Sequence, residues 1–203
     1  SNCRMKRIWL VIFILPVFIL GGLYFLGDRL PLSEIKLSES NKPEVDLNVV
    51  TKYYKIQGST ETELGNQMDT LGPSDEQGSH DAYTKWDITW FRLCNWPPSV
   101  KVNLILTYPE WDKPGNPELS LTTKWTKYIE ALKTHEKGHH DIAVKAAQEI
   151  MDNLYNFNTS DNCIKDILEE IDLGKEIINR YKQEEIQYDI MTSHGRTQGA
   201  VFP

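Results

Sequence analysis

Alternating apolar and polar positions predict two neighbouring strands in the middle of the chain. Within residues 82–92, every second side chain from Tyr83 to Thr89 is polar, so that Trp86, Ile88 and Trp90 share one face of a strand. Aliphatic side chains alternate in the same way along residues 100–108. Because only a short connection separates these two segments, they are expected to form an antiparallel pair.

After residue 119 the apolar period lengthens to that of a helix. Leu121, Trp125, Ile129 and Leu132 begin an apolar stripe that continues through alanine and aliphatic positions as far as Leu154. A short turn at residues 156–162 precedes a second predicted helix, from Cys163 to about Gln187. Since the turn is short, the second helix should return antiparallel along the first.

Shorter elements are predicted nearer the N-terminus. Residues 49–56 are rich in β-branched and aromatic side chains, which favours a strand. Ser59 or Thr60 can cap a short helix that reaches about Leu71, where Gly72 and a proline end it. The elements together predict an α+β fold, with a small antiparallel sheet packed on a long helix and a returning helix.

The first long helix carries the pattern His-Glu-x-x-His at His135, Glu136 and His139. Histidines four residues apart lie on one face of a helix, one turn apart, and can hold one Zn²⁺ together. The glutamate beside the first histidine can take a proton from water bound to such a metal. Both histidines continue the apolar stripe, so they are expected to face the interior at the end of the core.

A catalytic zinc takes three protein ligands and keeps one position open, so a third ligand is required. The returning helix brings the segment after it back to the histidine pair. His194 in that segment is the preferred third ligand, and Asp189 is the alternative, as a ligand or as a group that orients one. Glu184 and Glu185 are further ligand candidates at the end of the helix.

Tyr188 in the same segment is a candidate catalytic residue. Its hydroxyl can donate a hydrogen bond to an oxyanion that develops in the transition state. A tyrosine packed in the core, with no part in catalysis, is the equally weighted alternative.

Charge and length restrict the class of protein. The chain of 203 residues carries a formal net charge of −7. Three basic residues and no acid lie in residues 1–27, which leaves −10 on the remaining 176 residues. Nucleic acid is therefore not expected as a partner, because phosphate binding requires clustered lysine and arginine. The His-Glu-x-x-His pattern, which is typical of metalloproteases, makes a peptide or protein the expected substrate, and the oligomeric state is left open.

An uncharged segment at residues 8–26 predicts a membrane anchor, since its 19 residues span about 28 Å as a helix. Lys6 and Arg7 precede it, which places the N-terminus in the cytoplasm. Residues 1–27 are accordingly predicted to form a single-pass signal anchor in the inner membrane, with a linker at 28–47 and a periplasmic domain at 48–203. A cleaved signal, giving a secreted domain, is the alternative.

Export of the domain would allow Cys94 and Cys163 to form a disulfide, because the periplasm is oxidising. Two buried free thiols are the other interpretation of these cysteines.

Several of these segments resemble a known bacterial family, the domain-of-unknown-function family 922, which is described as predicted secreted zinc-dependent proteases. The resemblance rests on HEKGHHDIA, on YDIMTSHGRTQGA about fifty residues later, on YYKIQGSTETELGNQM and on LTYPEW. It implies a zincin-like fold and a zinc cofactor. Its first motif falls on His135, Glu136 and His139, and its second falls on Tyr188, Asp189, Thr192, His194 and Gly195.

The sequence therefore predicts a membrane-anchored, periplasm-facing zinc metallopeptidase with Glu136 as the general base. The first alternative is a non-catalytic envelope module in which a structural zinc site joins the helices and the C-terminal loop. The second alternative is an anchored binding domain without a metal.

Overall fold

The computed structural model describes residues 42–75 and 78–202 and has an α+β fold, as predicted. The elements in chain order are β1 (Asp46–Gln57), α1 (Glu61–Leu71), β2 (Ser74–Asp75), β3 (Gly78–Ser79), β4 (Tyr83–Phe91), β5 (Ser99–Asp112), α2 (Leu119–Tyr155), α3 (Cys163–Thr192) and a 3-10 turn (Arg196–Gln198). The predicted anchor at residues 8–26 lies outside the described residues. Within the described part of the chain, no helix is long and apolar enough to cross a membrane.

The three long strands form a mixed sheet in the order β1-β5-β4. β4 and β5 pair antiparallel, as predicted, but β1 pairs parallel with β5, so the prediction of a purely antiparallel sheet was wrong. β1 ends and β4 begins at the same end of β5, where Gln57 pairs with Asp112 and Tyr83 with Thr107. The chain crosses between the sheet edges through α1 and the β2–β3 hairpin. Its direction reverses once at this crossing and again between β4 and β5, which makes β5 parallel to β1.

One face of the sheet packs against α2 through the alternating side chains that the sequence identified. Val100, Val102 and Leu104 are fully buried against a run of small residues on the helix, Ala143, Ala146 and Ala147. Alanines allow the helix axis to approach the sheet closely, and the larger Ile150, Met151 and Leu154 fill the space beyond them. This contact fixes which side of α2 faces inward, including the side that carries the histidines.

The two long helices run antiparallel, as predicted. Tyr181 donates a hydrogen bond to Glu149 (2.9 Å) near the middle of the pair, and His139 meets Asp189 (3.1 Å) farther along. α2 is one continuous helix that leads from the apolar stripe through Thr134 into the His-Glu-x-x-His residues. α3 extends to Thr192, about five residues beyond the predicted end, so Tyr188 and Asp189 lie on its last turns rather than in a loop.

A disulfide between Cys94 and Cys163 confirms the predicted pairing, with the two Cα atoms 5.1 Å apart. It joins the connection between β4 and β5 to the first residue of α3. Beside it, the buried Arg92 forms an ion pair with Glu170 and donates to the carbonyl of Leu154 (2.7 Å), which is in the last turn of α2. The end of the helix pair farthest from the histidines is therefore fastened covalently.

Candidate metal site

The His-Glu-x-x-His residues are buried where α2 passes beneath the end of α3. His135, Glu136 and His139 are 5%, 3% and 8% exposed. Polar side chains are buried at this level only when other groups satisfy them, so their partners determine what the site can do. The apolar residues on either side along α2 pack into the core and hold the three side chains inward.

Three ligand atoms converge at this point. His135 Nε2 and His139 Nε2 are 3.4 Å apart, and Asp189 Oδ1 lies 3.2 Å from the first and 3.1 Å from the second. α2 supplies both imidazoles and the last turns of α3 supply the carboxylate. Among the described residues, this is the group of histidine, cysteine and acidic side chains whose spacing suits a metal ion.

These distances fit a zinc ion. A tetrahedral zinc with bonds of about 2.0–2.1 Å holds its ligand atoms about 3.3–3.4 Å apart, which is close to all three separations here. Two imidazoles and one carboxylate are also a ligand set that catalytic zinc sites use. The chemistry and the spacing of the donors therefore both match the metal that the motif implies.

The electrostatics of the site also favour a cation. Burial by itself would lower the pKa of His139, but its hydrogen bonds to Asp189 and Glu185 raise that pKa to about 10. Burial would likewise raise the pKa of Asp189, and hydrogen bonds from His135 and His139 lower it below its usual value. The carboxylates of Asp189 and Glu185 thus favour positive charge at the histidine pair, which is the charge that a metal cation would bring.

The second nitrogen of each imidazole also has a partner. His139 Nδ1 lies 3.3 Å from a Glu185 carboxylate oxygen, and Trp86 Nε1 donates to the same oxygen at 2.6 Å. His135 Nδ1 lies 3.0 Å from Gln198 Oε1. Partners of this kind orient metal-binding histidines and increase their basicity. Glu185, which the sequence proposed as a ligand, instead contacts the far side of a histidine ring.

Sequence reasoning missed Gln198 entirely. It lies in the 3-10 turn after α3, 63 residues from His135, and no pattern of spacing connects the two. The only available signal was that the C-terminal segment has the polar and glycine-rich composition of a site loop.

Glu136 lies beside the histidines, and a residue of the sheet donates a hydrogen bond to its carboxylate. Thr84, on β4, donates a hydrogen bond from Oγ1 to Glu136 Oε2 at 2.7 Å. Burial raises the pKa of Glu136, against the lowering effects of Thr84 and the two histidines. A carboxylate with a raised pKa can accept and release a proton closer to neutral pH, as a general base must.

His194 does not join the converging ligand atoms. Its side chain is 63% exposed, and its Nδ1 is 3.8 Å from Asp189 Oδ1. Because α3 continues to Thr192, Asp189 lies on the helix face toward α2, whereas Ser193 and His194 follow in left-handed conformations (φ 49° and 52°) that turn the chain away. The structure thus brings Asp189, the alternative ligand of the sequence analysis, to the histidine pair and leaves His194 outside it.

Tyr188 packs directly against both histidines. Its ring stacks on His135, with centroids 5.2 Å apart, and meets the edge of His139 at 5.0 Å. Its hydroxyl donates to the backbone carbonyl of His135 at 3.1 Å. The hydroxyl proton is therefore directed at the backbone of α2, which gives its predicted role as an oxyanion donor no geometric support.

A cleft of about 680 Å³ opens over the site and is much larger than a metal ion requires. Its lining includes the two histidines, Glu136 and Asp189. Its lining also includes the apolar residues Leu132, Ala200, Val201 and Phe202 and the charged residues Asp69, Asp81, Lys182, Glu185 and Arg196. The site is thus accessible to a molecule that is larger than water.

Comparison with known proteins places the chain in a family. No curated protein and no solved structure matches it significantly. The family model described as "Bacterial protein of unknown function (DUF922)" matches residues 51–195, which is well over half of the chain. The match runs from within β1 to Gly195 and includes both histidines, Glu136 and Asp189, but it ends before Gln198. The chain therefore belongs to this bacterial family of unknown function, DUF922.

Proposed function

We propose that the protein is a zinc-dependent metallopeptidase in which His135, His139 and Asp189 bind the metal and Glu136 is the general base. One observation carries this proposal: three ligand atoms of largely buried side chains lie 3.1–3.4 Å apart at the base of an open cleft. That spacing suits tetrahedral zinc, and an open cleft leaves access for water and a substrate.

A bound zinc would act as a Lewis acid toward a substrate carbonyl and would lower the pKa of a coordinated water. The residues of the chain perform the proton transfers. Glu136, held at Oε2 by Thr84, accepts a proton from the attacking water and passes it to the amine nitrogen of the leaving group. Its raised pKa suits both steps, because the carboxylate must take the proton and then release it.

The rival interpretation is a structural zinc site in a module without catalytic activity. Such a site would need a fourth protein ligand. His194, at 3.8 Å from Asp189 Oδ1, is the nearest histidine that could supply it. The buried base Glu136 favours the catalytic proposal, since a purely structural site has no use for a carboxylate held against the histidine pair.

The proposed location is the periplasmic side of the inner membrane, with residues 8–26 as the anchor. The Cys94–Cys163 disulfide supports it, because disulfides persist in oxidising compartments. The proposed substrate is a peptide or protein.

The test measures zinc content and cleavage of a broad peptide library with the full chain in mild detergent. Wild-type protein is expected to bind one zinc per chain and to cleave peptides. Glu136→Gln should keep the zinc and lose cleavage by about 10²–10⁴-fold, and His139→Ala should lose the metal. Glu130→Gln, an exposed glutamate on the same helix, is the matched control.

Equal cleavage by wild type and Glu136→Gln would eliminate the role of the general base. Loss of zinc from His194→Ala, combined with no cleavage by wild type, would support the structural site instead.

A further inference from the structure

We propose that Gln198 is a positioning residue that fixes the tautomer of His135, so that Nε2 is the nitrogen presented to the metal. The inference rests on the proposed function for the metal itself. It begins, however, from hydrogen bonds among groups of the chain itself. These bonds run from His135 through Gln198 and Tyr188 and return to His135.

The direction of each hydrogen bond in this ring follows from one backbone group. The carbonyl oxygen of His135 can only accept, so Tyr188 must donate its hydroxyl proton to it, across 3.1 Å. The Tyr188 oxygen can then only accept from Gln198, and the atom that donates to it is Gln198 Nε2, at 3.1 Å. A hydroxyl proton directed instead at Gln198 Oε1 would span 3.5 Å, which is longer.

The amide orientation then determines the protonation of the imidazole. With Nε2 of Gln198 facing Tyr188, the carbonyl oxygen Oε1 must face His135 Nδ1, at 3.0 Å. An amide oxygen has no proton to give, so Nδ1 must carry one and donate it. The other nitrogen, Nε2, faces His139 and Asp189 and is therefore the one left to bind a metal, which would take the place of the proton shared with Asp189. The backbone carbonyl of His135 thus selects the tautomer of its own side chain.

Thr192 is a second side chain that could accept a hydrogen bond from His135 Nδ1. Its Oγ1 lies 3.5 Å from His135 Nδ1, compared with 3.0 Å for Gln198. The hydroxyl proton of Thr192 goes to the carbonyl of Tyr188 at 2.8 Å, so this oxygen can accept only weakly and from farther away. Gln198 is therefore the partner that determines the tautomer.

The turn that carries Gln198 is held firmly against the histidine. The backbone N–H of Gln198 donates to the backbone carbonyl of Gly195 at 2.9 Å. A Cβ added at Gly195 would lie 3.0 Å from His135 Cγ, and the φ of +79° also favours glycine, so this turn packs directly on the imidazole. Beyond the turn, Phe202 packs against Trp125 and Tyr128, with centroids 5.5 and 4.9 Å away.

The two metal-binding histidines are thus oriented by unlike groups. Glu185, a carboxylate, faces His139 Nδ1, and Gln198, a neutral amide, faces His135 Nδ1. Partners of metal-binding histidines typically contribute 10–100-fold to metal affinity. We therefore expect Gln198 to act through metal affinity and through the state of the His135 ring, without contacting the substrate.

The experiment compares wild type with Gln198→Met, which removes the acceptor at similar volume, and with Gln198→Glu, which keeps it. Gln187→Met is the control, because Gln187 is an exposed glutamine one residue before Tyr188. Nitrogen-15 spectra of the imidazoles of zinc-free protein report whether Nδ1 of His135 carries a proton. Zinc affinity is measured separately by competition with a chelating dye.

Wild type, Gln198→Glu and Gln187→Met are expected to show a protonated Nδ1 at His135. Gln198→Met should lose that preference and bind zinc about 10–100-fold more weakly. An Nε2–H tautomer in wild type would overturn the inference, and so would Gln198→Met with unchanged spectra and affinity. Near-wild-type melting of Gln198→Met excludes misfolding as the source of its effect, and Gln198→Glu shows whether the acceptor alone restores the wild-type result.

The two proposals fail in distinguishable ways. If Gln198→Met alters the tautomer and wild type binds no zinc, the hydrogen-bond assignment stands and the proposed function is wrong. If wild type binds zinc and Gln198→Met binds it equally well, the proposed function stands and the positioning role is wrong.

Discussion

Gly138 lies in the middle of α2, between the two histidine turns, where the Tyr188 side chain crosses the helix. A Cβ at this position would lie 2.1 Å from the Tyr188 hydroxyl oxygen and 2.2 Å from Cζ. Ordinary contacts of this kind begin at 3.4 Å, so Gly138→Ala must displace the hydroxyl by about 1.3 Å. The ring has little freedom to move, since it stacks on His135 and its hydroxyl is hydrogen-bonded to His135 and Gln198.

Two opposing effects determine how Gly138→Ala changes the free energy of unfolding: the helix preference of alanine and the steric conflict with Tyr188. Alanine stabilises a helix interior by about 1 kcal/mol relative to glycine. Overpacking typically costs about 1–3 kcal/mol, and each hydrogen bond that the displaced hydroxyl loses costs about 1 kcal/mol more. We therefore expect a net loss of about 2 kcal/mol, which lowers the melting temperature of a domain of this size by about 4–8 °C.

A double-mutant cycle separates the steric term from the helix term. In a Tyr188→Ala background the space is free, so Gly138→Ala should become stabilising by about 1 kcal/mol. Thermal and urea unfolding of the four proteins measures the coupling, and zinc affinity should fall in Gly138→Ala because the stack on His135 is disturbed. A higher melting temperature for Gly138→Ala in the wild-type background would refute this reasoning, since it would mean that Tyr188 does not occupy the space.

The remaining predictions concern proton transfer, pH and the disulfide. Thr84→Val removes the hydrogen bond that lowers the pKa of Glu136, so the acid limb of the kcat/KM profile should move to higher pH, and an unchanged profile would contradict the role of Thr84. The pKa of His139 is raised to about 10, because its hydrogen bonds to Asp189 and Glu185 outweigh the effect of burial, so its contribution to stability is fully present below about pH 6.5 and is lost as the pH rises through 10. Urea unfolding of zinc-free protein should therefore show this loss between pH 7 and 10, and saturating zinc, which replaces the proton, should reduce it. Replacing Cys94 and Cys163 together by serine opens a link between residues 69 apart and should lower the free energy of unfolding by about 4 kcal/mol while leaving zinc content unchanged, as measured by urea unfolding and metal analysis.

The sequence predicted those parts of the molecule that depend on local periodicity. The helical period through α2 identified the inward face that carries His135 and His139, and alternation along β4 and β5 identified their buried face. The capping position Thr60 and the stop at Gly72 define α1, as expected from backbone preferences at helix ends.

Long-range contacts determined what the sequence could not predict. The direction of β1 depends on where the chain crosses the sheet, which no local pattern encodes. The sequence predicted that residues 188–192 lie beyond the helix. Packing against α2 outweighs their weak helix preference, and α3 continues to Thr192. That extension places Asp189 at the site and leaves His194 outside the converging ligand atoms. Gln198 depends on a tertiary contact with His135 and carries no signature of its own.

The two ends of the α2–α3 pair are fastened by bonds of different kinds. The Cys94–Cys163 bridge lies at the beginning of α3, and the candidate metal ligands lie at its end. A metal can dissociate, whereas the disulfide holds in an oxidising compartment. Depletion of zinc should therefore increase hydrogen exchange in the last turns of α3 and the following turn, while amides near the bridge remain protected. Because the rest of the fold would be retained, restored zinc would need to order only one end of a helix to regenerate the site.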